Sequence, residues 1–85
     1  MNIGDVVVSL KGHDIGRLYV VTGIEENSVL LCDGKRKLLA CPKMKSIKHL
    51  KESGERVDLS SYNPLYDAHI RKALKSVKYD ICLKN

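Results

Sequence analysis

Phenylalanine and tryptophan are absent from the 85 residues, and Tyr19, Tyr62, Tyr66 and Tyr79 are the only aromatics. A core must therefore be assembled from Val, Leu and Ile. Cysteine is scarce as well: Cys32, Cys41 and Cys82 are odd in number and widely spaced. That pattern does not fit a disulfide scaffold and points to reduced thiols and a cytoplasmic chain. No Cys-x-x-Cys pair exists, so a zinc site is not expected, and the thiols read as small buried hydrophobes. No apolar run approaches the ~20 residues of a membrane span. The start, Met1-Asn2-Ile3-Gly4-Asp5, has no basic segment leading into an apolar stretch, so no secretory signal is expected. A chain this short buries only roughly 60–65% of its unfolded surface, which leaves room for one thin core.

Hydrophobic residues make up 44% and charged residues 29%, a balance that fits a folded chain rather than a disordered one. The formal net charge is +5, and a small basic domain has polyanions as its first candidate partners.

Residues 5–10, Asp-Val-Val-Val-Ser-Leu, read as a strand with Val6, Val8 and Leu10 on one face. The loop Lys11-Gly12-His13-Asp14-Ile15-Gly16 follows, its two glycines four apart. A second strand covers residues 17–24, with Gly23 marking a bulge or bend. Residues 28–32 form a third strand. Asp33-Gly34 then predicts a two-residue hairpin turn into a fourth strand over 35–41, ended by Pro42. A short fifth strand is expected near 46–50. Four or five short strands joined by tight turns suggest a small closed or nearly closed barrel over residues 1–51.

Residues 52–62 read as a polar linker, and residues 63–85 as a C-terminal helical extension packing on the barrel. The helix is expected from Asn63-Pro64 to about Val77, with Asn as N-cap and Pro at the first position. Tyr66, Ile70, Ala73 or Leu74, Val77 and Ile81 form its apolar stripe.

The charge is unevenly spread. Lys35, Arg36, Lys37, Lys43, Lys45, Lys48 and Lys51 fall in one stretch without an acid, while 25–34 and 52–70 are acidic. Such segregation is the footprint of phosphate-backbone binding. The first loop supplies a matching element. Gly12 and Gly16 let a phosphate or ribose approach the backbone amides, and Lys11, His13 and Arg17 flank them with charge-assisted donors. Gly16 also has the plainer reading of permitting a turn that Asp14 caps, and His13 either stacks on a base or carries nothing. Tyr19 reads as strand packing. Turns alternate between the ends of a barrel, so the first loop and the Pro42 connection should meet, with Lys11, His13 and Arg17 near Lys43 and Lys45.

The segment Gly4-Asp5-Val6-Val7-Val8, the loop Lys11-Gly12-His13-Asp14-Ile15-Gly16-Arg17 and the strand Val20-Val21 together resemble the KOW motif of ribosomal proteins and transcription elongation factors. With Val29-Leu30-Leu31 and the ending Ser46-Ile47-Lys48-His49-Leu50, the first fifty residues look closest to the L-fourteen-e family of large-subunit ribosomal proteins and its small bacterial relatives. The resemblance implies a mainly β, SH3-like barrel of about five strands that binds RNA, typically ribosomal RNA. The chain departs from that family after Lys51, lacking the long basic extensions of ribosomal proteins, and an accessory factor fits as well as a ribosomal subunit.

The expected RNA-binding set is Lys11, Gly12, His13, Gly16, Arg17, Lys35, Arg36, Lys43, Lys45 and Lys48. A ribosomal or transcription protein partner, met through a protein-binding SH3-like surface, is the alternative. No cofactor and no catalysis are expected. A Cys41–His49 pair has neither an oxyanion hole nor an orienting third group, and Asp33-Gly34-Lys35 lacks the Walker spacing.

Overall fold

The computed structural model describes residues 1–77. Tyr79, Ile81 and Cys82, which figure in the expectations above, lie outside the described residues. Among the described residues five strands form one antiparallel sheet: β1 (Asp5–Ser9), β2 (Leu18–Ile24), β3 (Ser28–Cys32), β4 (Lys43–Ser46) and β5 (Leu50–Arg56), in the order β4-β3-β2-β1-β5. Among the described residues one α-helix, α1 (Asp67–Ser76), follows a short 3-10 turn at Leu59–Ser61.

β1 sits between β2 and β5, and both of its faces are covered. Residues directly opposite one another in a ladder share a face. Val7 opposite Tyr19, and Val21 opposite Leu31, lie on one face with Val29 and Leu50. Val6 opposite Val20, and Val20 opposite Cys32, lie on the other face and meet Ile70 of α1. Thus Val6, Val7 and Val8 are all buried, whereas Leu10, expected on the inward face, is exposed beyond the end of the strand. Two thin aliphatic layers share a sheet. This is how a chain without Phe or Trp fills a core of this size.

Three expected elements are placed differently. Asp33-Gly34 does not make a two-residue hairpin, and residues 35–41 are not a strand. Gly34 does take positive φ (+79°), but Asp33 does not, and the preferred hairpin turn needs it at both central positions or at the first. Instead Asp33 Oδ1 accepts the backbone N–H groups of Lys35, Arg36 and Lys37 at 2.9, 3.0 and 2.9 Å. A side chain that satisfies three amides holds the chain in a loop. Pairing with β3 resumes only at Lys43.

The expected strand at 46–50 is a 3-10 turn, Ile47–His49, from which β5 starts. The first part of the supposed linker, residues 52–56, is therefore β5, and its second part holds the 3-10 turn Leu59–Ser61. The residues of β5 do not alternate in polarity: Glu52, Gly54, Glu55 and Arg56 are all exposed. Backbone pairing with β1, the Ser53 hydroxyl donating to Val6 O (2.7 Å) and the Arg56–Asp5 ion pair (3.4 Å) hold it. β4 and β5 are the two edges, and no ladder joins them among the described residues.

The helix starts at Asp67 rather than Pro64. The backbone is still extended at Tyr66 (φ −113°, ψ 158°), which lets Leu65 pack into the second core layer before the helix turns. His69 Nδ1 accepts the Tyr66 N–H at 3.0 Å, and the His69 ring stacks on Tyr62 with centroids 4.4 Å apart. Ile70, Leu74 and Val77 face the protein as expected, and Tyr66 does not.

Candidate functional site

The first loop is built around a buried carboxylate. Gly12 and Gly16 have φ of +93° and +88°, a region other residues enter only with strain. They reverse the chain so that Gly16 N–H donates to Ser9 O (2.8 Å) and Ser9 N–H to Arg17 O (3.0 Å). Within that reversal Asp14 turns inward. Its Oδ1 accepts from Ser9 Oγ (2.9 Å) and Lys45 Nζ (2.9 Å), and its Oδ2 from Tyr19 Oη (2.7 Å). Lys43 Nζ lies 3.0 Å from Oδ2.

Strand register explains why two lysines meet one aspartate. Lys43 opposes Leu31 and Lys45 opposes Val29, so both lysines stand on the face of the first core layer. Lys45 Nζ also donates to Ser9 Oγ (2.7 Å) and to the Lys11 carbonyl (2.6 Å). The Lys45 side chain is only 10% exposed, and all three of its donors are engaged. Lys43 is 30% exposed and, among the described residues, pairs with Asp14 alone.

Burial alone would push the Asp14 carboxyl up. The hydrogen bonds from Lys45, Tyr19, Lys43 and Ser9 outweigh it and hold the group well below the usual carboxylate range. Burial, reinforced by its hydrogen bond to Asp14, pushes the Tyr19 hydroxyl well above the usual phenol range. The contacts favour the ionised form of Asp14 against the cost of its burial, and its counter-charges come from inside the protein.

The structure gathers some of the expected residues and separates others. Lys11, Gly12 and His13 are exposed at the loop tip, and Gly16 and Arg17 are half-buried at its base. Lys43 and Lys45 do meet this loop, but from within strand β4 rather than from a turn after a 35–41 strand, and as internal partners of Asp14. Lys35 and Arg36 are exposed in another loop, the one capped by Asp33, which docks on α1. Lys48 is exposed on the 3-10 turn, where it lines a hollow with Asn27, Ser46 and Ile47. The acid-free run from Lys35 to Lys51 is therefore not one face.

Sequence reasoning misses the hub itself. Asp14 reads as a turn cap, whereas its carboxylate is the anchor of the loop. The signal lies in a pair of lysines two apart, Lys43 and Lys45, on a strand that must cross this loop. Reading it requires the register of β4. The thiols split: Cys32 is buried, and its burial pushes its pKa up, while Cys41 is exposed rather than a core residue. Among the described residues no group of three or more His, Cys, Asp or Glu side chains could hold a metal ion, and no helix is long and apolar enough to cross a membrane. Neither a protein-family model nor a curated protein sequence matches the chain.

Proposed function

We propose that this chain is a non-catalytic RNA-binding module, an SH3-like barrel of the KOW type that docks on structured RNA, with ribosomal RNA as the favoured target. The observation that carries the reading is the first loop: a backbone bend open to solvent at Gly12, cations at Lys11 and Arg17, an imidazole at His13, and a rigid ionic anchor beneath. Such a loop offers amide donors and charge to phosphate oxygens without first having to order itself.

The barrel reading draws on the contact between Lys45 and Ser9. Their strands, β4 and β1, are separated by β3 and β2 in the sheet order. A flat sheet would hold those strands about 14 Å apart, at roughly 4.8 Å per step. A hydrogen bond of 2.7 Å across that interval suits a sheet curled toward closure.

A second reading, a protein-binding SH3-like module serving transcription or translation, is favoured by one observation. Leu10 and Ile15 expose apolar surface (39% and 53%) beside the same cations. Cosedimentation with ribosomes, and titration of a fluorescent oligouridylate, each across a salt series, separate the two. Phosphate binding weakens steeply with salt, and an apolar protein interface far less. Retention on ribosomes that falls away between low and moderate salt supports the RNA reading. Salt-insensitive retention without oligouridylate binding refutes it.

A further inference from the structure

We propose that the hollow between the Asp33–Lys37 loop and α1 is a ribose-phosphate subsite, one that makes the protein prefer RNA to DNA of the same base sequence. The proposal rests on the RNA reading above and concerns a different part of the surface. Asp33, Lys35, Arg71, Leu74 and Lys75 line a hollow of about 200 Å³. Three of the five are cations, and they come from two elements. Arg71 and Lys75 lie four residues apart on α1, which puts them one above the other on one face.

The seam between loop and helix is tightly fitted. Gly34 is buried with positive φ, and a Cβ there would overlap the Asp67 carbonyl oxygen and lie 2.8 Å from the Arg71 backbone nitrogen. Arg71 Nη1 donates to the Gly34 carbonyl at 2.7 Å, which spends one of the five guanidinium N–H donors and fixes the plane of the rest. Asp67 Oδ1 accepts the Leu39 N–H at 2.7 Å and closes the far side of the seam. The cations are therefore presented by a packed joint and not by a free loop.

The remaining two residues decide the ligand. Leu74 gives the hollow an apolar wall suited to the carbon face of a sugar. Asp33 is at first sight out of place beside phosphate. Its Oδ1 is fully occupied by the amides of Lys35, Arg36 and Lys37, while Oδ2 accepts no hydrogen bond among the described residues. An ionised carboxylate oxygen is an acceptor only, so it calls for a donor on the ligand. The 2′-hydroxyl is the donor that RNA carries and DNA lacks. Three cations for the phosphate, an apolar wall for the sugar and an acceptor for its hydroxyl match a ribonucleotide backbone. An acidic peptide would satisfy the cations but leave Asp33 repelling it.

The test titrates oligouridylate and oligodeoxyuridylate of equal length, which differ only in the 2′-hydroxyl, into wild type, Lys75→Ala, Asp33→Asn and Arg17→Glu. Wild type should bind the ribo-oligomer about tenfold more tightly, the worth of one charge-assisted hydrogen bond. Lys75→Ala should weaken both oligomers and lower the salt slope by about 0.7, one phosphate contact on a single strand. Asp33→Asn keeps an oxygen for the three amides and should bring the two affinities together. Lys75 is exposed, so its variant stays informative even if Asp33→Asn folds poorly. Equal affinity of wild type for the two oligomers overturns the proposal. So does an unchanged Lys75→Ala beside a weakened Arg17→Glu, which removes the subsite and leaves the first-loop reading standing. Absence of binding to either oligomer at low salt overturns both. Binding of a poly-glutamate peptide as tightly as oligouridylate would overturn it too, assigning the hollow to acidic protein instead.

Discussion

The loop from Leu10 to Arg17 and the loop from Asp33 to Lys37 each set basic residues around one aspartate, and the two aspartates act in opposite directions. Asp14 is buried and reaches outward from its own loop, binding Lys43 and Lys45 from a strand some thirty residues away. Asp33 is half-buried and, among the described residues, its carboxylate accepts hydrogen bonds only within its own loop, taking three adjacent amides. The first loop is anchored by long-range charge, with its cations divided between an inner pair and an outer set. The second is closed locally and is then located by a glycine pressed against a helix. The difference teaches that lysines close together in the sequence need not share a task. Lys45 is structural, whereas Lys35 is free to meet solvent.

The largest expected effect comes from removing the long-range anchor. Asp14→Ala leaves the nearly buried Lys45 ammonium without its counter-charge, and breaking such a pair should destabilise the protein by about 3–5 kcal/mol. Urea unfolding followed by circular dichroism measures it. A loss under about 1 kcal/mol would place the pair with ordinary surface salt bridges and erase the contrast between the loops.

Ile70→Ala should follow. Ile70 is fully buried in the second core layer and carries the helix against which the Asp33 loop docks. The cost should be about 2–4 kcal/mol. A melting temperature equal to that of wild type would mean that α1 contributes no packing.

Asp33→Ala should cost about 1 kcal/mol, because the three amides it abandons lie in a loop that water can reach. The expected order, Asp14 well above Asp33, is the comparison in its sharpest form, and equal losses would break it.

The acid limb of the stability curve offers a subtler separation. Asp14 has a lowered pKa in the folded state, so its contribution is fully present above its unfolded value, about 4. It is lost progressively as pH falls below that toward the folded value. Wild type should lose stability between about pH 4 and 2, and Asp14→Asn should start lower and fall less steeply over the same range. Parallel curves would show that other carboxylates govern the acid limb.

The strands with a clear apolar signal are legible in the sequence. β1, β2 and β3 are Val- and Leu-rich, and their pattern locates each of them, as well as the bend at Gly23 where the β2–β3 register shifts. Ile70, Leu74 and Val77 are legible from helical spacing. β5 is not, because an exposed edge strand is held by its neighbour's backbone and needs no alternation of side chains. Asp33-Gly34 misleads for a related reason. The positive φ at Gly34 is real, yet the glycine is demanded by α1 across the fold and not by a hairpin. At the candidate site, the glycine loop and its flanking cations can be read directly. The inner role of Lys43 and Lys45 cannot, since it depends on which face of β4 they occupy and on how far the sheet curls.

One measurement bears most directly on the outer set of the first loop as a phosphate-binding surface. Oligouridylate affinity is measured from low to moderate salt for wild type, Arg17→Glu and Lys48→Glu, the last an exposed lysine outside both loops. Wild type should show a steep fall of log affinity with log salt. Arg17→Glu should bind more weakly and flatten that slope by about 0.7 for each phosphate it no longer neutralises, with Lys48→Glu much closer to wild type. Equal weakening at Arg17 and Lys48 would reduce the binding to diffuse charge and contradict a site at the loop, as would an Arg17→Glu slope identical to that of wild type.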